Sequence, residues 1–180
     1  MSTTQQQQQV TAIPAGVWQS DTVHSTFDFS VKHMVVATFR GSLPDFAATL
    51  AVDDDGAATL EAVGQLTSVV TQDENLTGHL QSPDFFETER LPEVRYRSTE
   101  IVRDGEDLVV RGELTLKGVT RPVELTGTIA GPVGDLIAVD LQTSIDRTDY
   151  GLSWNAPLPG GGFAVGDTVR LNAHLEMNRS

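Results

Sequence analysis

No cysteine occurs among the 180 residues. That excludes disulfides, thiolate catalysis and cysteine-ligated zinc, and it leaves compartment undecided, because a cysteine-free chain fits any redox environment. Positive charge is also scarce: 12 Lys and Arg stand against 25 Asp and Glu, for a net charge of -13. A field of that sign repels polyanions, so neither nucleic acid nor an anionic membrane surface is an expected partner. No apolar run approaches the ~18 residues of a membrane-spanning helix, and stable membrane insertion is not expected. Residues 1–9 carry neither the basic nor the apolar region of a secretory signal, which points to a cytoplasmic protein. Phosphate loops, dinucleotide fingerprints, His-Glu-x-x-His and Gly-x-Ser-x-Gly are all missing.

What is present is period-two alternation. From Val23 to His33 the odd positions read Val, Ser, Phe, Phe, Val, His and the even ones His, Thr, Asp, Ser, Lys. Successive side chains of a strand face opposite sides, so this run has an apolar face, with Ser25 and His33 on it, and a polar one. Similar runs cover 46–52, 59–70, 95–102, 107–116, 119–130, 137–147 and 169–177, separated by turn signals such as Asp55-Gly56, Asp104-Gly105 and Lys117-Gly118. About eight short strands with tight turns predict a sandwich or barrel, and closure into a barrel removes exposed edges. One helical interruption is expected between Gln72 and Glu89. It starts near Asp73, is stopped by Ser82-Pro83-Asp84 and is anchored by Phe85-Phe86. Residues 1–12, with a glutamine run, read as a disordered tail, and 13–180 as one domain.

The residues offer little for catalysis. His24 and His33 differ by an odd number and face opposite sides of one strand, and His174 falls on a polar face, so no metal is expected. Ser25 adjoins His24, but neighbours on a strand point apart, and no nucleophile has a base beside it. Asp146 and Asp149 flank Arg147 and read as strand-end polar groups. No catalytic residue is assigned. Arg40, Arg121 and Arg147 lie at strand ends or turns, where an anionic head group could meet them.

Four segments in order resemble the YceI-like family of polyisoprenoid-binding, lipocalin-like proteins. The first runs from Asp21-x-x-His24-Ser25 to His33-Met34, with Phe39-Arg40-Gly41 after it. The second is His79 to Phe86 with Pro92 and Arg97-Ser98-Thr99, the third Gly112 to Val123, and the fourth Ile145 to Leu152 followed by Val165-Gly166-Asp167. Leu76-Thr77 stands where the family usually carries an Arg-Asp pair.

The resemblance implies an all-β fold: an extended eight-stranded antiparallel lipocalin-like barrel with a short helix near one opening and an elongated apolar cavity. The expected lining is Ser25, Phe27, Phe29, Val31, His33, Leu114, Leu116, Leu125, Leu141, Ile145, Leu171 and Leu175, with the 73–80 helix and the 157–162 loop as lids. The expected function is holding a long isoprenoid-type lipid, polyprenyl or quinone-like, for transport, storage or sequestration. An enzyme acting in the same bore, or a ligand-free structural or stress-response module with a filled core, are the alternatives. No cofactor is expected beyond such a lipid, and a homodimer is allowed but not required.

Overall fold

The computed structural model describes residues 12–180; most of the Gln-rich tail read over 1–12 lies outside the described residues. In chain order the strands are β1 (Gly16–Ser20), β2 (Thr26–His33), β3 (Ala37–Ser42), β4 (Phe46–Val52) and β5 (Ala58–Gln65). A helix, α1 (Glu74–Gln81), precedes β6 (Glu93–Asp104), β7 (Asp107–Leu116), β8 (Val119–Val133), β9 (Leu136–Asp146) and β10 (Val165–Arg179).

Every pairing is antiparallel, in the order β1-β4-β5-β6-β7-β8-β9-β10, and β1 returns to β10 to close the ring. The ten strands occupy eight wall positions. The long β10 pairs with β2 along Val165–His174 and with β1 along Met177–Arg179. β1 and β2 are therefore halves of one position, broken at 21–25, and β3 and β4 are halves of the next. The barrel is the expected eight-stranded one, with two staves snapped at the same level.

The first break explains a departure from the sequence reading. Asp21 accepts the N–H groups of Val23 and His24 on Oδ1, and Ser25 N–H bonds the Asp21 carbonyl at 3.0 Å. The chain turns there instead of extending. Val23, read as the first inward residue, is 81% exposed. The run expected over 59–70 is also shorter: β5 ends at Gln65, and a 3₁₀ turn over Leu66–Ser68 puts Leu66 and Val69 into the core.

Below the breaks the bore is plugged. Trp18, Val110, Ile137 and Met177 are almost wholly buried there with Leu50, Leu108, Ile129 and Val139, and Trp18 Nε1 donates to the Pro14 carbonyl at 3.0 Å. Each such side chain contributes roughly 1.5–3 kcal/mol through burial. Outward faces carry charge, as in Arg111 Nη1 to Glu100 at 2.8 Å and Nε to Glu124 at 3.0 Å, spanning β6, β7 and β8. The β7–β8 hairpin turns on Lys117 and Gly118, both at positive φ, the two-residue geometry that matches strand twist.

The β9 backbone crowds β8 at Gly127, where a Cβ would lie 1.7 Å from the Asp140 carbonyl oxygen. Backbone cannot yield as a side-chain tip can. Gly127→Ala should cost about 3 kcal/mol, measured by urea denaturation, whereas Ala at Gly160, which is open and not at positive φ, should be far milder. Equal costs at the two positions would contradict this close approach.

Candidate functional site

Above the plug the interior is hollow. A cavity of about 260 Å³ is lined by Phe27, Phe29, Val31 and His33 of β2, Phe39 of β3, Leu114 and Leu116 of β7, Ile145 of β9, and Val169 and Leu171 of β10. A smaller chamber of about 90 Å³ lies deeper, against Leu125, Leu141, Leu175 and Tyr96. Phe27, Leu114 and Leu171 border both and form a waist. One water needs only ~10–15 Å³ of such space, so side chains do not fill this bore.

Among the described residues, β3 at the open end has a strand neighbour only in β2, and it meets the chain beyond β5 through the Ser42–Val70 bridge. α1 covers that side. Asp73 caps it by accepting the N–H groups of Asn75 and Leu76, satisfying donors that a helix start leaves unpaired. Leu76, His79 and Leu80, at helical spacing, turn to the cavity. The helix stops at Ser82, whose backbone is extended as the residue before Pro83 prefers, and Ser82 Oγ donates to the His79 carbonyl at 2.7 Å. The His79 ring stands edge-on to Phe85 and Trp154, with centroids 5.0 and 4.6 Å away, and its Nε2 lies 2.9 Å from Asp84 Oδ2. This cluster fastens the helix to the loop after β9.

Eleven of the twelve expected lining residues border one chamber or the other; Ser25 does not. It is buried at the strand break, where Oγ accepts the Glu176 N–H at 3.1 Å and faces the Glu176 carbonyl at 3.3 Å. Its apolar-side parity was misleading because the strand begins only at Thr26. The arginines need more correction. Arg40 points outward beside an exterior groove with Ser30 and His174. Arg121 is exposed on β8 and borders neither chamber.

Arg147 does border the cavity, but its guanidinium is committed. Nε donates to the Gly166 carbonyl at 2.8 Å, Nη1 to those of Leu152 and Trp154, and Nη2 to Val165 at 3.3 Å, with Asp167 3.5 Å away. Burial pulls its pKa down, countered by Asp167 and Asp146. It pins the 152–166 loop and has no donor to spare for a head group. The basic side chains left at the open end are Lys32 and His33, both exposed at the edge of the lining. Lys32 sits on the polar parity of β2, which hid it in the sequence. Leu152 and Trp154 lie in irregular chain with no period to reveal them.

Among the described residues, the main lining contains no carboxylate, no hydroxyl and no amide side chain. Its titratable members are Lys32, His33, His79 and Arg147. Such a surface can solvate an apolar chain; the carboxylate that pairs with one of its members, Asp84 on His79, stands outside the lining. Among the described residues one group could offer three metal ligands: Asp21, His24 and Glu176. It lies at the strand break, where Asp21 already holds the turn and bonds His24 Nδ1 at 3.0 Å. That bond raises the His24 pKa and lowers that of Asp21.

Tyr96 in the deeper chamber gives a pH signature. Its hydroxyl donates to the Val123 carbonyl at 3.0 Å, near that of Val110. Burial, followed by Glu124, pushes its pKa up to about 12. The ordinary value is about 10. The unfolded chain therefore loses this proton first, so stability present below pH ~10 should decline as pH rises through the folded value. Urea midpoints across that window should fall in the native chain and much less in Tyr96→Phe. A parallel fall in both would assign the alkaline loss elsewhere, Tyr150 included, whose pKa burial also raises.

Comparison with known proteins agrees with this geometry. The family described as "YceI-like domain" matches residues 18–177. A Staphylococcus aureus (strain N315) relative named "UPF0312 protein SA2479" is 30% identical over 168 residues, covering 89% of this chain and 96% of the relative. Among solved structures, Burkholderia cenocepacia BcnA superposes with a TM-score of 0.76 at 22% identity, covering 87% of this chain and 98% of its own. A polyisoprenoid binding domain from Saccharophagus degradans, described as implicated in plant cell wall breakdown, superposes at 0.71 with 17% identity, covering 91% and 98%. At these identities the structural likenesses concern the fold.

Proposed function

The chain belongs to the YceI-like family, and from that premise we propose that it is a binding protein that holds a long isoprenoid-type lipid in the barrel, for transport, storage or sequestration. The observation that carries the reading is the 260 Å³ cavity whose lining lacks any carboxylate or hydroxyl. Burying a methylene is worth roughly 0.8 kcal/mol, so one five-carbon unit contributes on the order of 3–4 kcal/mol before ordering costs. A polyprenyl or quinone tail gains affinity in this bore without polar recognition.

The tail enters past the waist, and its polar end stays near Lys32 and His33. These two replace Arg40, Arg121 and Arg147 as the head-group contacts. The family relation and the ligand class of the Saccharophagus polyisoprenoid binding domain support the isoprenoid choice. Among the described residues, no carboxylate or hydroxyl enters the lining beside its histidines, and the paired imidazole, His79, is held by Asp84 and packed against Phe85 and Trp154, which speaks against an enzyme; the hollow bore speaks against a filled-core module.

Two measurements test the reading. Lipids extracted from purified protein and identified by mass spectrometry should include a long-chain isoprenoid. Affinity for prenyl alcohols should rise with each added unit. An affinity indifferent to chain length would sink the proposal.

A further inference from the structure

The β2–β3 turn and the 157–163 loop meet at the open end. Met34 N–H donates to the Ala164 carbonyl at 2.9 Å, and a Cβ on Gly162 would touch Val35 Cγ2 at 3.5 Å. Together they put Val35, Val36 and Phe163 into solvent at 60, 85 and 60% exposure, with Met34 beside them. The cavity reaches this corner, because Lys32, His33, Ala164 and Val165 belong to its lining. A lone exposed apolar side chain needs no explanation, but a cluster at the mouth of an apolar cavity does.

Backbone and charge single out the same corner. Met34 and Val35 sit at φ 53° and 68°, a region β-branched residues avoid, and such strain gathers at functional positions. Between Asp28 and Asp45 there is no carboxylate, only the cations Lys32 and Arg40 with His33; from Asn155 to Gly166 no side chain ionises. In a chain of net charge -13 these two segments carry no negative charge, and the first carboxylate after the second, Asp167, lies 3.5 Å from Arg147.

We propose that this rim is the surface by which the barrel docks on a lipid bilayer, and that the ligand crosses it on entry and exit. The proposal rests on the lipid-binding reading above. Val35, Val36 and Phe163 reach the acyl boundary while Lys32 and His33 stay at the level of the lipid phosphates, the arrangement of residues that lie in a membrane interface. The overall charge directs the choice to a zwitterionic bilayer. A second copy is a poorer occupant, because a stable dimer buries roughly 800 Å² per partner and a few loop-tip side chains fall well short.

The test places a fluorophore at the rim of the full chain. Val36→Trp and, at the plugged end, Val133→Trp are mixed with phosphatidylcholine vesicles whose acyl chains are brominated, with the unsubstituted chain as background. Quenching of the first and not the second is expected. Val36→Asp combined with Phe163→Asp should weaken vesicle binding by about tenfold or more while leaving geranylgeraniol affinity unchanged. No quenching, or equal quenching at both ends, overturns the proposal. So does self-association, seen by sedimentation, that the double substitution abolishes, since the occupant is then a second copy. Isoprenoid binding without docking overturns this proposal alone. Docking without isoprenoid binding overturns the lipid-carrier reading and leaves the rim a membrane contact.

Discussion

Replacing Arg147 with Leu is expected to lower unfolding free energy by about 3–5 kcal/mol. The residue is 3% exposed, yet its side chain carries a full charge into the wall of an apolar cavity. Its guanidinium has five N–H donors, shared among the carbonyls of Leu152, Trp154, Val165 and Gly166 and the Asp167 carboxylate. Leucine keeps much of the volume and leaves those carbonyls facing an apolar side chain. Asp167 adds little to the estimate, being largely in solvent at 3.5 Å. Arg147→Lys keeps the charge but not the planar fork, and should fall between the two. Urea denaturation midpoints read the effect. A loss below about 1 kcal/mol would mean that water takes over the carbonyls, and the arginine would no longer be the pin of the loop.

Leu171→Trp should separate long ligands from short ones. Leu171 borders both chambers at the waist and is only half-buried, so a larger ring has empty space to enter. It closes the inner chamber and leaves the outer one open. Denying one five-carbon unit removes roughly 3–4 kcal/mol of gross burial, a fall of more than about 100-fold for chains long enough to pass the waist. Shorter prenyl alcohols should lose far less, and the melting temperature should stay near that of the native chain. Titration calorimetry across a prenyl alcohol series reads this out. If long and short alcohols weaken alike, the inner chamber is not part of the binding path.

Much of the barrel is legible in the chain. β7 falls on the residues its alternation predicts, and the inner faces of β8 and β9 follow the parity of Leu125, Leu141 and Ile145. β1 is too short for a period, with Trp18 alone wholly buried. β3 loses its alternation at Gly41, a glycine because the Phe29 ring fills the space over it: a Cβ there would lie 2.4 Å from the ring. The cavity was readable where strands line it and not where loops do, since Leu152 and Trp154 are set by hydrogen bonds to Arg147. Arg147 itself continues the inward parity of Ile145. A charge at an inward position was the available sign of a structural role, and position near a strand end suggested a ligand contact instead.

The two snapped staves have a mechanical consequence. A continuous barrel transmits strain around its whole circumference, because each strand is held along both edges. Here the β2–β3 hairpin is laddered to the remainder through β10 and tied to Val70 by one bridge, while Trp18 and its neighbours grip the lower halves. The upper halves are therefore held by fewer ladders than the base, with the Met34–Ala164 bond as a further tie, and low local tethering is the condition for a separately opening foldon. The molecule is a plugged cup with a sparsely laddered lip, and the lip bears the hydrophobic tip that faces outward.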